Sequence, residues 1–366
     1  MSYNILGINP FHNGSACVLS DGKIIYFLEE ERLTRQKHDA NPFRIISDIL
    51  SKFKIDEVIV GGMNHSKPEL NFSLEDPFIC FIRKQVNNIK FSDISSDHHI
   101  THFYHSYFNS SFNEAIGFVF DAGGSTKTNK EGEIYVEQNS IYQVKNDHLT
   151  LLHSEGLPHK PPSTPMGVSH ANIYGYFSSQ MGFGSVGGEG KLMGLSSYGK
   201  ANSKIPSLFK GSRTDPDLIQ FNSFENMPWE KIDSNVFPFK NSYDWHSEVS
   251  KTHIFEKDLA WRIQHDTQNI VKKYIIKYTE KTGIKNVVCS GGYFLNCVAN
   301  YYLVKELPDI NFYFEPIAHD GGTAIGAAFY RWKQLNPSFK PKKQKMLYYG
   351  PKPSKEYLME GIKKYV

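Results

Sequence analysis

Three apolar segments of this chain end in glycine-containing polar turns, and this repeated pattern narrows the possible folds more than any other feature. The segments cover residues 3–8, 115–120 and 286–290, and each has the length and composition of a buried strand. The turns after them contain Gly14 and Ser15, then Gly123 and Gly124, and finally Gly291 and Gly292. Glycines let the backbone approach a ligand closely, and backbone N–H groups in such turns bind phosphate oxygens. The pattern predicts an α/β chain with anion-binding loops at strand ends.

The spacing of these turns indicates two lobes. Residues 1–114 are predicted to form the first lobe and residues 115–340 the second, with residues 341–366 as a linker. A length of 366 residues suits two lobes, and an apolar share of 40% allows a sizeable core to be buried. Because a phosphate-binding turn begins each lobe, we expect a nucleotide to lie in the cleft between them.

The composition argues against several classes of function. The net charge is +3 and the sequence has no long Lys/Arg block, so it does not indicate a nucleic-acid polymer as a partner. The four cysteines form no CxxC pair, which is typical of buried reduced thiols in a cytoplasmic protein. The sequence shows no signal-peptide pattern and no apolar run long enough to cross a membrane. We therefore expect a cytoplasmic protein without a membrane partner.

Several other segments carry weaker signals. Residues 29–39 are dense in charge, which predicts a solvated face. Residues 182–194 carry six glycines around Glu189 and Lys191, and they indicate either a ligand-binding loop or a mobile lid. Residues 66–97 lack a clear hydrophobic periodicity, and residues 203–250 are interpreted as an insertion. Amphipathic helices are predicted over residues 42–53 and 257–282.

A histidine-rich stretch is the most specific candidate site in the sequence. Four of the fifteen histidines lie between His98 and His105. If the stretch is helical, His98 and His102 lie four residues apart on one face, where two imidazoles can bind one divalent metal ion. His105 falls near the same face, whereas His99 points elsewhere. The alternative is a surface helix that is simply rich in histidine.

Two histidines leave a metal site incomplete, and Asp320 is the best candidate for a carboxylate ligand. It precedes a run of small residues, 321–332, that is predicted to be helical. Two histidines and one carboxylate suit iron(II), and they can also hold zinc or manganese. Asp320 is equally well placed to cap the N-terminus of that helix, so both roles stay open.

The first glycine-containing turn also carries a histidine, His12. A strand, a small polar turn and a returning strand form the phosphate-binding hairpin of actin-like and sugar-kinase-like ATPases. An ordinary hairpin with a polar tip would have the same pattern. With an unperturbed pKa of about 6.5, His12 could act as a general base.

Taken together, these stretches resemble the O-carbamoyltransferases, a family that modifies antibiotics and nodulation factors. The matching motifs occur in the family's order and cover residues 3 to about 350. They are residues 7–15, residues 28–39, the pattern His98-His99-x-x-His102, the pattern Asp121-x-Gly-Gly, and residues 189–199, 290–300 and 320–328. The resemblance implies the two-lobed actin-like ATPase fold that this family shares with the tRNA threonylcarbamoyl-transferring enzyme.

The resemblance also implies a reaction. A carbamoyl group would pass from carbamoyl-adenylate, made from carbamoyl phosphate and ATP, to a hydroxyl of a small molecule. The acceptor would be an aminoglycoside, another sugar or a hydroxymethylated nucleotide. The resident ion would be Fe²⁺ or another divalent transition metal, with Mg²⁺ as a further candidate. Family members usually carry a C-terminal domain that forms the adenylate, and we expect such a domain to act in cis or in trans.

The resemblance assigns roles to individual residues. His98, His102 and Asp320 match the metal ligands, and His12 matches the catalytic histidine beside the transferred carbamoyl group. The residues that match the nucleotide-binding loops are Gly123, Gly124, Lys191, Gly291, Gly292 and Asn296. Two alternatives fit the fold alone, a sugar-kinase-like phosphotransferase and a non-catalytic ATP-binding module of the actin class. Neither needs a tightly bound transition metal, so metal content would separate them from a carbamoyltransferase.

Overall fold

The computed structural model describes residues 2–62, 77–85, 89–128, 132–158, 170–184, 187–211, 219–221, 253–343, 345, 347–352 and 354–365. Most of the insertion expected over residues 203–250 lies outside these ranges. Within them, the chain forms two sheets with helices between and around them.

The first sheet begins with the N-terminal hairpin. Its strands are β1 (Asn4–Asn9), β2 (Ser15–Ser20), β3 (Lys23–Glu29), β4 (Glu57–Val60) and β5 (Lys90–Asp93), in the order β3-β2-β1-β4-β5. β1 pairs antiparallel with β2 and parallel with β4. Every residue of β1 and β4 is buried, which is why both read as continuous apolar runs rather than as alternating patterns.

The second sheet contains the other two strands that end in glycine turns. Its strands are β6 (Ala115–Phe120), β7 (Thr126–Thr128), β8 (Ile134–Lys145), β9 (His148–Pro158), β12 (Asn286–Ser290) and β13 (Asn311–Phe314), and a separate hairpin pairs β10 (Phe209–Gly211) with β11 (Ile219–Phe221). The order is β13-β12-β6-β8-β7, with β9 paired to β8. β6 and β12 are parallel neighbours, so the turns that follow them lie at the same edge of the sheet.

The helices of the described residues are Glu31–Thr34, Phe43–Lys52, Pro77–Gln85, His98–Ser110, His170–Gln180, Glu189–Ser196, Ile254–Thr282, Cys297–Glu306, Thr323–Leu335 and Lys355–Tyr365. Short 3₁₀ turns cover Gly292–Leu295 and Asp320–Gly322. None of these helices is long and apolar enough to span a membrane. The predicted helices over 42–53 and 257–282 are confirmed, and the second ends at Gly283, whose φ of 72° suits a glycine cap.

Two helices form the layer between the sheets. His98–Ser110 contacts β6 and β12 of the second sheet, and Thr323–Leu335 contacts β1, β2 and β4 of the first. The two helices also pack on each other. A Cβ atom on Gly326 would lie 1.8 Å from the carbonyl oxygen of Thr101, so the helices cross this closely only because residue 326 has no side chain.

Some expectations from the sequence are corrected by the structure. The charged segment 29–39 is not wholly a solvated face, because Glu29 and Glu30 are buried. The Glu30 carboxylate accepts hydrogen bonds from the backbone N–H groups of Arg44 and Ile45. These groups lie in the first turn of helix Phe43–Lys52, where no helical partner exists, and a carboxylate there also suits the helix dipole. The burial of both glutamates therefore depends on a distant segment.

Other differences concern element boundaries. The second half of the glycine-rich segment is helical, over Glu189–Ser196, and residues 66–97 contain helix Pro77–Gln85 and strand β5. Helix Thr323–Leu335 packs on the first sheet although it falls within the range 115–340 assigned to the second lobe. The lobe boundaries themselves stay a prediction. All four cysteines lie in described residues and none forms a disulfide, but Cys297 is exposed rather than buried.

The helix crossing can be tested by Gly326→Ala. The added methyl group would collide with the Thr101 carbonyl and push the helices apart, which we expect to lower the free energy of unfolding by about 1–3 kcal/mol. Gly361→Ala is the matched control, because Gly361 is also helical but a Cβ atom there would have no neighbour within 4 Å. Urea denaturation of both variants is the measurement. Equal stabilities would contradict the crossing described above.

Candidate metal and nucleotide site

Four buried side chains from three parts of the chain meet at one end of the helix layer. His98 and His102 lie on the first two turns of helix His98–Ser110. Asp121 directly follows β6, and Asp320 opens the 3₁₀ turn that leads into helix Thr323–Leu335. One ligand atom from each of the four residues lies within 4.8 Å of the other three.

The distances between these side chains suit a shared cation. Nε2 of His98 lies 3.1 Å from Nε2 of His102. Nε2 of His102 lies 3.2 Å from Oδ2 of Asp121 and 3.4 Å from Oδ1 of Asp320, which is also 3.5 Å from Nε2 of His98. Two ring nitrogens this close cannot both point a hydrogen at each other, but both can point a lone pair at one cation. Two imidazole nitrogens with two carboxylate oxygens suit a divalent transition metal.

Both carboxylates are ionised in this cluster. Burial would raise the pKa of each, and the charge of Asp320 would raise that of Asp121 further. The neighbouring His98 and His102 outweigh these effects and hold the pKa of both Asp121 and Asp320 below the ordinary value. Ionised carboxylates are the form that binds a metal ion.

The structure brings together the three ligands predicted from the sequence and adds Asp121. The sequence had placed Asp121 in a phosphate-binding turn, although its position at the end of a buried strand also allows it to reach a metal ion. The helix-capping alternative for Asp320 is not observed, since the residue before helix Thr323–Leu335 is Gly322 and the Asp320 carboxylate faces the histidines. The assignment of all four as metal ligands stays a prediction.

The second lobe holds the N-terminus of the histidine helix. The backbone N–H of His98 donates to Oγ of Ser125 at 3.0 Å, and that of His99 donates to Oε1 of Glu137 at 3.3 Å. Glu137 also accepts from the backbone N–H of Ser125 at 3.1 Å. Gly124 fits into this contact, where a Cβ atom would lie 2.5 Å from Cγ of Glu137. Gly124 therefore packs the turn against the helix.

His12 lies between the cluster and the solvent. Its Nε2 is 3.0 Å from Oδ2 of Asp320, its Nδ1 is 3.0 Å from Oδ1 of Asn13, and its side chain is 53% exposed. The hydrogen bond with Asp320 raises the pKa of His12 to about 9. Because Nε2 of His12 is engaged by Asp320 in this arrangement, its predicted role as a base requires that this contact be broken.

A cavity of about 520 Å³ adjoins the cluster. Of the residues predicted from the sequence, His12, Asp320, Gly292 and Asn296 line it. Gly123, Gly124, Lys191 and Gly291 are not among its lining residues, and neither are His98 and His102. Glu189, from the segment interpreted as a ligand-binding loop or a lid, also lines it, and so do His38 and Tyr293, which were not predicted as site residues. The cavity is large enough for a nucleotide-sized ligand and meets the cluster at Asp121 and Asp320.

Asn296 has a structural role that the sequence did not reveal. Its Oδ1 accepts from the backbone N–H of Ala299 and from Gln264, and its Nδ2 donates to the Tyr174 hydroxyl and to Gln264. These four contacts use the full hydrogen-bonding capacity of an amide side chain. Asn296 therefore caps helix Cys297–Glu306 and fixes the cavity wall, which leaves its side chain no hydrogen bond for a nucleotide.

The fourth histidine of the helix, His105, forms a separate buried pair. His105 Nε2 lies 3.4 Å from Oε1 of Glu315, and both side chains are buried. The distance would suit an ion pair, but burial lowers the pKa of His105 and raises the pKa of Glu315 to about 7. Burial therefore favours the neutral form of both side chains, and the Glu315 carboxyl also accepts hydrogen bonds from Asn109 and Tyr313.

The raised pKa of Glu315 makes a prediction about stability. Between pH 4.5 and 7 the unfolded carboxyl is ionised while the folded one holds its proton, so unfolding becomes easier as pH rises through this range. Relative to Glu315→Gln, the wild type should lose about 1–3 kcal/mol between pH 4.5 and 7.5. Denaturant titrations across this range provide the measurement, with Glu360→Gln on an exposed helix as the control. A constant difference between wild type and Glu315→Gln would contradict the raised pKa.

Comparison with known proteins identifies the family. The model of the carbamoyltransferase N-terminus matches residues 45–329, which is most of the chain. The chain therefore belongs to the carbamoyltransferase N-terminal family, and the resemblance drawn from its motifs is confirmed.

The relatives and structural neighbours agree with this membership. The nodulation protein NolNO of Sinorhizobium fredii is 25% identical, over 93% of this chain and 49% of its own length. An uncharacterized protein of Synechocystis is 26% identical, over 90% of this chain and 57% of its own length. The chain thus spans about half the length of the curated relatives it matches.

Two HypF structures share the fold. HypF from T. kodakarensis is similar with a TM-score of 0.54 and 13% identity, covering 92% of this chain and 48% of HypF. A full-length HypF in its phosphate- and nucleotide-bound form has a TM-score of 0.50 and 14% identity, covering 92% of this chain and 56% of that chain. The predicted two-lobed actin-like ATPase fold is confirmed.

Proposed function

We propose that this chain is the transfer part of an O-carbamoyltransferase, which moves a carbamoyl group from carbamoyl-adenylate to a hydroxyl of a small molecule. Its family membership supports the class of reaction. The observation that carries the proposal is the cluster of two histidines and two aspartates beside a cavity that also contains His12. We take the acceptor to be an aminoglycoside, another sugar or a hydroxymethylated nucleotide.

We infer that His98, His102, Asp121 and Asp320 hold Fe²⁺ or another divalent transition metal. Such an ion supplies Lewis-acid stabilisation of the negative charge on phosphate and carbonyl oxygens. A sugar-kinase-like phosphotransferase or a non-catalytic ATP-binding module would need only Mg²⁺ between phosphates. Neither alternative gives a role to two buried imidazoles whose nitrogens lie 3.1 Å apart.

The transfer step needs a group that takes a proton. The acceptor oxygen attacks the carbamoyl carbon, the bond from that carbon to the AMP oxygen breaks, and the hydroxyl proton passes to a base. We assign Nε2 of His12 as the atom that takes this proton. The other ring nitrogen, Nδ1, donates its hydrogen to Oδ1 of Asn13. Nε2 of His12 can take the proton once its contact with Asp320 is broken, and a cation held by Asp320 would weaken that contact.

We place the adenylate in the cavity, with its nucleotide beside Gly292 and Tyr293 and its carbamoyl end near Asp320. A similar HypF structure is described in a phosphate- and nucleotide-bound form, which supports nucleotide binding by a chain with this fold. Gly123, Gly124 and Gly291 would then shape the turns behind the cavity wall. Lys191 would contact the nucleotide from helix Glu189–Ser196. Mg²⁺ would accompany the ATP from which the adenylate is made.

We propose that carbamoyl phosphate and ATP are converted to carbamoyl-adenylate by a further domain, in cis or in trans. The relatives support this division, because they extend well beyond the region that matches this chain. We place the reaction in the cytoplasm, where the four cysteines would stay reduced.

Direct assay of the transfer tests this function. Supplied with carbamoyl-adenylate and candidate hydroxyl compounds, the protein should release AMP and yield products heavier by one carbamoyl group in mass spectrometry. His12→Ala should slow the transfer by about 10²- to 10⁴-fold, because the general base is lost. His148→Ala, which changes an exposed histidine at the start of β9, is the control.

Two results would contradict the proposal. In the first, the wild type gives no carbamoylated product with any class of acceptor, although calorimetry shows that AMP binds. In the second, His12→Ala transfers the group at the wild-type rate, which would remove His12 from the mechanism while leaving the transfer activity itself established.

A further inference from the structure

His38 and His12 are presented to the same cavity by two segments that lie side by side. The backbone N–H of Asn13 donates to the carbonyl of His38 at 3.4 Å, and that of Gly14 donates to the carbonyl of Asp39 at 2.6 Å. Both histidines line the cavity. His38 belongs to the charged segment 29–39, and it has no role in the proposed transfer step.

One side-chain oxygen bridges the two imidazoles. Oδ1 of Asn13 lies 3.0 Å from Nδ1 of His12 and 3.3 Å from Nδ1 of His38. An amide oxygen only accepts hydrogen bonds, so each Nδ1 carries a hydrogen and the lone pair of a neutral imidazole is then on Nε2. Asn13 therefore sets the same tautomer in both histidines.

The two Nε2 atoms have different surroundings. Nε2 of His12 lies against Asp320. Nε2 of His38 has no hydrogen-bond partner among the residues that the structure describes, and a Cβ atom on Gly187 would lie 3.3 Å from it. The lone pair on Nε2 of His38 thus lies beside Gly187 at the wall of the cavity. There it can accept a hydrogen bond from a ligand.

The backbone holds His38 in an unusual conformation. Asn13 and His38 have φ values of 57° and 60°, in the left-handed region that few residues other than glycine adopt. The backbone N–H of His38 donates to Oε2 of Glu31 at 3.0 Å, which helps to fix this conformation. Backbone strain of this kind persists only where the surroundings enforce it, and it concentrates at functional sites.

We propose that His38 is a second binding point for the acceptor, which receives a hydrogen bond from a donor group next to the reacting hydroxyl. This inference rests on the proposed transfer reaction. The reacting hydroxyl faces His12, and a neighbouring hydroxyl or amine donates to Nε2 of His38. Because one Asn13 oxygen lies within 3.3 Å of Nδ1 in both rings, the two imidazoles are neighbours, and we take neighbouring substituents of one acceptor to reach both. The acceptor is therefore a polyol or an amino sugar, because a simple alcohol can bind at only one of the two histidines.

Two probes that differ by one hydroxyl test this proposal. With carbamoyl-adenylate as the donor, wild-type protein should carbamoylate trans-cyclohexane-1,2-diol with a lower KM than cyclohexanol. His38→Asn keeps the left-handed backbone, which asparagine tolerates, but its side chain is too short to replace Nε2. The variant should raise the KM for the diol by roughly 3- to 10-fold, the effect of one hydrogen bond, and leave the KM for cyclohexanol unchanged. His148→Asn, at an exposed histidine, should match the wild type for both probes.

A second readout needs no turnover. Diethylpyrocarbonate acylates accessible imidazoles, and peptide mass spectrometry measures the modified fraction of His38. The diol should protect His38 from acylation in the wild type, whereas cyclohexanol at the same concentration should not.

The two readouts separate this inference from the proposed function. If transfer occurs and His38→Asn keeps the wild-type preference for the diol, the role of His38 is wrong and the transfer function stands. If neither probe is carbamoylated but the diol protects His38, the site binds polyols and the proposed transfer to them is wrong. Equal acylation of His38 with both probes overturns the role of His38 whatever the activity.

Discussion

The close crossing of helices His98–Ser110 and Thr323–Leu335 is the constraint on which the site depends. The carbonyl of Thr101 touches the backbone at Gly326, and Thr101 lies between the two histidines that face the aspartates. Asp320 lies only three residues before the second helix begins. The distance between Asp320 and the histidines is therefore set by how closely the helices approach, and any larger residue at 326 would increase it.

Buried polar contacts hold this arrangement at both ends of the histidine helix. Ser125 and Glu137 of the second lobe accept the N–H groups at the start of the histidine helix, which would otherwise lack partners. Near the end of the same helix, Asn109 donates to Glu315 on the segment that leads to Asp320. Hydrogen-bonded networks in a low-dielectric interior specify one geometry, because each unpaired group would cost free energy. The proposed metal site would benefit from this rigidity.

The sequence allowed the fold and part of the site to be predicted, because those features are local. The spacing of His98 and His102 indicates a shared helix face without any knowledge of the fold. Asp320 was a candidate ligand from its position before the small-residue run 321–332, and the resemblance to the family assigned it the same role. Asp121 was missed as a ligand because its contact with His102 depends on how β6 packs beside the helix. The resemblance assigned Asn296 to the nucleotide, whereas its contacts with Tyr174 and Gln264 on distant helices cannot be read from the sequence.

Metal analysis of purified protein tests the central claim, that the helix crossing builds one transition-metal site from four side chains. After anaerobic loading with Fe²⁺ and desalting, the wild type should retain one ion per chain. Asp121→Asn and His102→Ala should each lose most of it while keeping the wild-type circular dichroism spectrum, because each removes one donor from the cluster. Full metal occupancy in either variant, or none in the wild type, would contradict the account.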